Sequence, residues 1–183
     1  MAIVCFPHIQ NNIDSDEHLR SKIAENILII NPSVGHKEAN RYASYVYTWS
    51  KIKNINPDLV LGIIQVESRF KHTAVGQISN DFGPMQVNEY WLKKLNITKK
   101  DLLTVEKGIM MGVTILDLKR RERVTGGCWW SIYNARNIEK RHKYEMRINK
   151  VVARLGVWFD CAGVKSNDPA NFLTWEARNL LLS

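Results

Sequence analysis

A chain of 183 residues with 45% hydrophobic and 24% charged side chains suits one domain and is long enough to bury a real core. No apolar run approaches the roughly 18 residues that a spanning helix needs, which argues against membrane insertion. The net charge of +8 points to an anionic partner, and nucleic acid, anionic lipid and bacterial cell-wall polymers all qualify.

No nucleic-acid recognition motif or clustered basic stripe accompanies that charge, so a nucleic-acid partner is not expected. Cys5, Cys128 and Cys161 allow at most one internal disulfide. They form no CxxC or mixed His/Cys ligand spacing, so neither a metal nor another cofactor is expected. The opening "MAIVCFPHIQNNID" lacks the basic start and the apolar length of a standard secretory signal.

In chain order, Asp14 or Ser15 is placed to cap a helix carrying Leu19, Ile23 and Ile27. "NPSVGHKEAN" interrupts, and a second helix carries Tyr42, Ala43, Val46 and Trp49. Asn56, Pro57 and Asp58 mark a new start as cap, first helical residue and first-turn acid. The stretch that follows, "LVLGIIQVESRF", reads as amphipathic. Val60, Ile63, Ile64 and Phe70 share one side; Asp58, Gly62, Gln65 and Arg69 share the other.

Gly, Asn-Asp and Gly-Pro then predict a loop or short hairpin near residues 76–88. In "TVEKGIMMGVTILDLKRRE" helical periodicity returns, and Gly108 and Gly112 would let another helix approach closely. Gly126 and Gly127 end it, "CWWSIYNARN" reads as a short buried helix, and "EKRHKYEMRINKVVARLG" reads as a longer one stopped by Gly156. Asn167 or Asp168 with Pro169 starts a last helix through Phe172, Trp175 and Leu180. "LDLKRRERV" and "IEKRHKYEMRINK" read as solvated helix faces. The class is mainly α.

Glu67 breaks this pattern, because it lies in the middle of the apolar side of its helix. Burial there strips hydration from a carboxylate and raises its pKa, and a glutamic acid that keeps its proton near neutral pH is a general acid. Periodicity alone also allows a helix-end glutamate that pairs with Arg69 or Lys71.

The segments after it add to the acid reading. "VESRF", "HTAVG", "NDFGPMQVNEYW", "KGIMMGVTIL" and "WWSIYNAR" stand in an order that resembles the lytic transglycosylase family. The fold of that family is related to goose-type and c-type lysozymes. The resemblance spans roughly residues 54 to 155 and is nearest to the specialised enzymes of phage and of secretion and conjugation systems.

The resemblance implies a lysozyme-like helical domain over 54–156, and the helical patterns outside it read as an extension over 1–53 packed on the domain and another over 157–183. It implies cleavage of the β-1,4 bond between N-acetylmuramic acid and N-acetylglucosamine in peptidoglycan, leaving 1,6-anhydro ends. Glu67 becomes acid and then base. Ser68, Gln86 and Tyr133 line or support the site, with Tyr133 bonding Glu67, and Met85 and Asn134 lie at the sugar cleft. Trp91 reads as packing. Asp81 either organises a turn or serves as the second carboxylate of a lysozyme-type hydrolysis.

Three departures stand out: Pro84 in the turn, Lys107 where asparagine is common, and Arg136 where glycine usually follows Tyr-Asn-Ala. A non-catalytic glycan-binding or structural component of a virion or secretion machine is the alternative from another class. Action at the bacterial cell wall or periplasm is expected, after delivery by a phage virion, by lysis or by a secretion system. In an oxidising periplasm Cys128 has Cys5 or Cys161 as its possible partner.

Overall fold

A computed structural model describes residues 7–122, 127–134 and 137–168, with side chains from residue 15 onward. Cys5, Gly126, Arg136 and the last helix expected from Pro169 lie outside the described residues. Helix α1 runs Pro7–Ile30, ahead of the cap expected at Asp14 or Ser15. Proline suits a first helical turn because its missing N–H would have no partner there. Asn31 then caps a short turn over Pro32–Val34, and α2 follows at His36–Lys53.

Helix α3, Pro57–Glu67, begins as the sequence dictates: the Asn56 side chain accepts from the Asp58 N–H at 2.9 Å. It is not amphipathic, however. Leu59, Val60, Leu61, Ile63 and Ile64 are all buried, so apolar contacts surround it. Gly62, read from the sequence as part of a polar side, faces α7 (Ile138–Val152). A Cβ there would lie 2.9 Å from the Val152 side chain and 3.0 Å from that of Ile148. Asp58 is buried too, accepting from Asn26 and Lys165 at 2.8 and 2.7 Å.

A two-residue hairpin pairs β1 (Asp81–Phe82) antiparallel with β2 (Val87–Asn88), with Asp81 opposite Asn88. Helices α4 (Tyr90–Leu95), α5 (Lys99–Leu102) and α6 (Val105–Arg120) follow. "WWSIY" forms a 3-10 turn rather than the expected helix, with Trp130, Ser131 and Ile132 buried. The expected C-terminal helical extension instead opens with a second hairpin, β3 (Trp158–Phe159) against β4 (Lys165–Ser166). Cys128 and Cys161 are disulfide-bonded, which ties this hairpin to the 3-10 turn. No helix of the described residues is long and apolar enough to cross a membrane.

Two apolar clusters result among the described residues. The larger gathers α1, α2, α3, α6 and α7; the smaller gathers Phe82, Val87, Leu102 and Ile115 beside the first hairpin. Tyr133 packs against both. The glycines of α6 serve this junction, though only in part as the sequence suggested. A Cβ on Gly108 would meet Pro84 Cδ at 2.4 Å and the Leu102 carbonyl oxygen, at the end of α5, at 2.7 Å, and one on Gly112 would meet Met85 Sδ at 2.4 Å.

The hairpin turn is therefore pressed onto α6 at both glycines, joined at Gly108 by the end of α5. Met85 Sδ could swing away from an added methyl, but Met85 Cβ, at 2.6 Å, is fixed by the backbone. Gly112→Ala is expected to destabilise the fold by about 1–3 kcal/mol, measured by urea unfolding, because overpacking must move the turn itself.

Candidate active site

Glu67 is the last residue of α3, and Ser68 caps the helix. The chain then turns sharply, for Arg69 and Phe70 both adopt positive φ, 54° and 63°. Left-handed backbone is unfavourable for such residues and persists only where neighbours enforce it. Here the buried Phe70 ring stacks edge-on against Tyr42, whose hydroxyl donates to the Phe70 carbonyl at 2.7 Å. Asn31 donates to the Arg69 carbonyl at 3.3 Å. The Ser68 hydroxyl reaches the Pro84 carbonyl at 2.7 Å and so ties the helix end to the hairpin turn.

A cleft of about 290 Å³ opens between the two clusters. Glu67, Tyr133 and Asn134 line one part of it; Asp81, Gln86, Asn88, Trp91 and Lys119 line the rest. The Tyr144 hydroxyl donates to Glu67 Oε1 at 2.6 Å. Burial pushes the Glu67 pKa above its ordinary 4.5, and the nearby charge of Asp81 adds to that. Hydrogen bonds from Tyr144 and Asn134 and the charge of Arg147 act the other way without cancelling it. A carboxyl held in this state can lend a proton to a bound oxygen and take one back.

Gln86 lines the cleft, with a left-handed backbone and its amide donating to the Gly83 and Ala74 carbonyls at 2.9 and 3.2 Å. Asn134 also lines it. Ser68 supports the site from behind rather than lining it. Met85 departs from expectation: its side chain is wholly buried against Gly112, so the cleft gains only what its backbone fixes.

Tyr133 departs as well. Its hydroxyl donates to the Met85 carbonyl at 2.8 Å, and the phenol that bonds Glu67 is Tyr144. Trp91, read as packing, packs on the smaller cluster and also lines the cleft. Asp81 accepts from Asn88 at 2.7 Å across the hairpin and faces the same cleft as Glu67.

Sequence reasoning missed Tyr144 because α7 looked like a solvated, highly charged helix. Its buried residues nonetheless recur at helical spacing: Arg141, Tyr144, Glu145, Ile148, Asn149 and Val152. Arg141 donates to the Cys128 carbonyl and the Ser131 hydroxyl, and Glu145 accepts from the Cys128 N–H at 2.6 Å. One face of α7 thus both fixes the segment that carries Tyr133 and Asn134 and supplies the phenol for Glu67. The charged repeat concealed an apolar and hydrogen-bonding stripe.

No curated protein matches the chain. The family model described as the transglycosylase SLT domain matches residues 44–148, more than half of the 183. That span starts within α2, runs through the carboxyl, hairpin and cleft just described, and ends in α7 beyond Tyr144. With its lysozyme-like helical fold, the chain belongs to the transglycosylase SLT domain family of peptidoglycan lytic transglycosylases.

Proposed function

We propose that Glu67 serves as both acid and base in cutting the bond between N-acetylmuramic acid and N-acetylglucosamine, leaving 1,6-anhydro ends. The observation that carries this reading is a carboxyl whose pKa is raised by burial, oriented by Tyr144 at the wall of the cleft. Glu67 gives its proton to the glycosidic oxygen as the bond to the muramoyl C1 breaks. The carboxylate then takes the proton of the 6-hydroxyl while that oxygen closes on C1. Glu67 is restored and no water is consumed. The amide oxygen of Gln86, whose nitrogen already donates to backbone carbonyls, and the amide of Asn134 are suited to the N-acetyl and hydroxyl groups of the sugars.

Asp81 supports a second reading, since it shares the cleft with Glu67. An ionised Asp81 opposite a protonated Glu67 would suit retaining hydrolysis, which needs the carboxyls about 5 Å apart. Digestion of purified sacculi with muropeptide mass spectrometry separates the two. Anhydro ends from wild type and from Asp81→Asn alike are expected. Reducing ends, lost in a folded Asp81→Asn protein, would establish hydrolysis instead. No release, or equal release by Glu67→Gln, would sink both readings.

The biological use we infer is local opening of the wall in the periplasm. The Cys128–Cys161 disulfide supports this, because such bonds persist in oxidising compartments. Carriage by a virion, release by lysis and export by a secretion machine are the candidate routes. Mass spectrometry of purified virions against periplasmic extracts tells them apart.

A further inference from the structure

A second concavity, of about 240 Å³, opens where the end of α3 meets α7. Arg69, Arg147, Lys150 and Arg154 line it together with Gln65, and among the described residues no carboxylate does. Three of these cations stand at i, i+3 and i+7 along α7 and its last turn, which places them on one face. The fourth comes from the left-handed turn directly after Glu67 and Ser68.

The cluster is pre-positioned. Arg147 donates one nitrogen to the Val66 carbonyl at 3.2 Å, and Arg154 donates one to the Ile30 carbonyl at 2.7 Å. The charge of Arg147 reaches Glu67, though not at ion-pair distance. Elsewhere Lys51 faces Asp16, Lys107 faces Asp101 and Lys165 faces Asp58, but none of these four cations forms an ion pair among the described residues. Four like charges in one hollow repel each other, and a multiply charged anion would relieve that repulsion.

Consecutive residues at the end of α3 line the groove and the cleft. Val66 lines the first and Glu67 the second, and Arg147 lies one turn from Tyr144 on α7. Glycan sugars are largely neutral, whereas the peptides attached to muramic acid carry free carboxylates that leave the strand sideways. Guanidinium forks suit carboxylates, which they can hold through two parallel hydrogen bonds. We propose that this groove binds the carboxylates of the stem peptides borne by the strand in the cleft, so that peptide-bearing strands are cut in preference to bare ones. The inference rests on the peptidoglycan-cleaving reading above.

The test compares kcat/KM on peptide-bearing glycan strands with that on the same strands stripped by an amidase. The variant is Arg69→Asn with Lys150→Gln, which leaves both carbonyl-bound arginines in place. Asparagine also tolerates the left-handed backbone at 69. Wild type is expected to prefer peptide-bearing strands by about fivefold at low salt, with the preference fading as salt screens the contacts. In the variant the ratio falls to near one, and Arg69→Lys with Lys150→Arg restores it.

Equal rates on both substrates by wild type would overturn the groove and leave the proposed function standing. No turnover of either would overturn the function; co-sedimentation of the wild-type and variant proteins with intact and stripped sacculi then decides the groove alone. Binding that follows removal of wall phosphate polymers by acid, rather than removal of peptides, would overturn the assignment to stem peptides.

Discussion

Glu67→Gln is expected to lower the rate of muropeptide release by about 10³-fold or more while leaving the fold intact, since a general acid contributes roughly 10²–10⁴ and here would act twice. The same substitution should raise thermal stability, and the pH dependence gives the sign. The pKa of Glu67 is pushed above its ordinary 4.5 in the folded protein by burial. Below pH 4.5 the group is protonated in both folded and unfolded chains, and no penalty arises. As pH rises through the folded value, ionisation favours the unfolded chain, so stability is lost. Glutamine has no proton to lose. The melting temperature of the variant should therefore match that of the wild type well below pH 4.5 and exceed it by a margin that grows from there to the folded pKa and then levels off. A variant that is less stable at pH 7 than the wild type would contradict the raised pKa; one that is fully active would remove Glu67 from the chemistry.

Tyr144→Phe keeps the buried ring and deletes only the hydroxyl that donates to Glu67 at 2.6 Å. Hydrogen bonds to charged groups are worth about 1.5–3 kcal/mol, so a loss of roughly 10- to 100-fold in kcat is expected from poorer orientation and a less stabilised carboxylate. The pH profile should move in the opposite sense to the rate. Tyr144 holds the Glu67 pKa down, and without that bond it rises further. Activity that depends on protonated Glu67 declines as pH passes that pKa, so the alkaline limb should shift to higher pH. Tyr133→Phe breaks a bond to the Met85 carbonyl instead, and its alkaline limb should stay closer to that of the wild type. Equal shifts in both variants would mean that Tyr144 has no special hold on Glu67.

Much of the architecture could be read locally. The Asn56-Pro57-Asp58 start of α3 needs only the groups of one helical turn, and the side chain of Asn56 makes the predicted cap. The hairpin near residues 76–88 follows from Gly83-Pro84 and the alternation after it, and Val87 and Phe82 pair as such alternation requires. Glu67 stood out because a single ionisable group interrupts an apolar stripe. These signals act over a few residues, which is the range of capping, turn and periodicity rules.

What periodicity could not supply was the identity of the neighbour. Helix α3 looked amphipathic because Gly62 and Asp58 read as polar. In the fold the glycine admits α7, and the aspartate finds Asn26 and Lys165, so both lie inside. Gly108 and Gly112 advertised a close approach without saying that Pro84 and Met85 would make it.

By itself, then, the sequence determined a mainly helical chain, the turn that carries Gln86, and a misplaced carboxyl at the end of a buried helix. Only the tertiary structure decided that Tyr144, 77 residues away from Glu67, supplies its hydrogen bond, and that Tyr133 braces the turn. It alone gathered Arg69 with Arg147, Lys150 and Arg154 into one hollow. The physical reason is range: a cap or a stripe is fixed by neighbours along the chain, whereas the partner of a buried polar group is whichever one packing brings within about 3 Å.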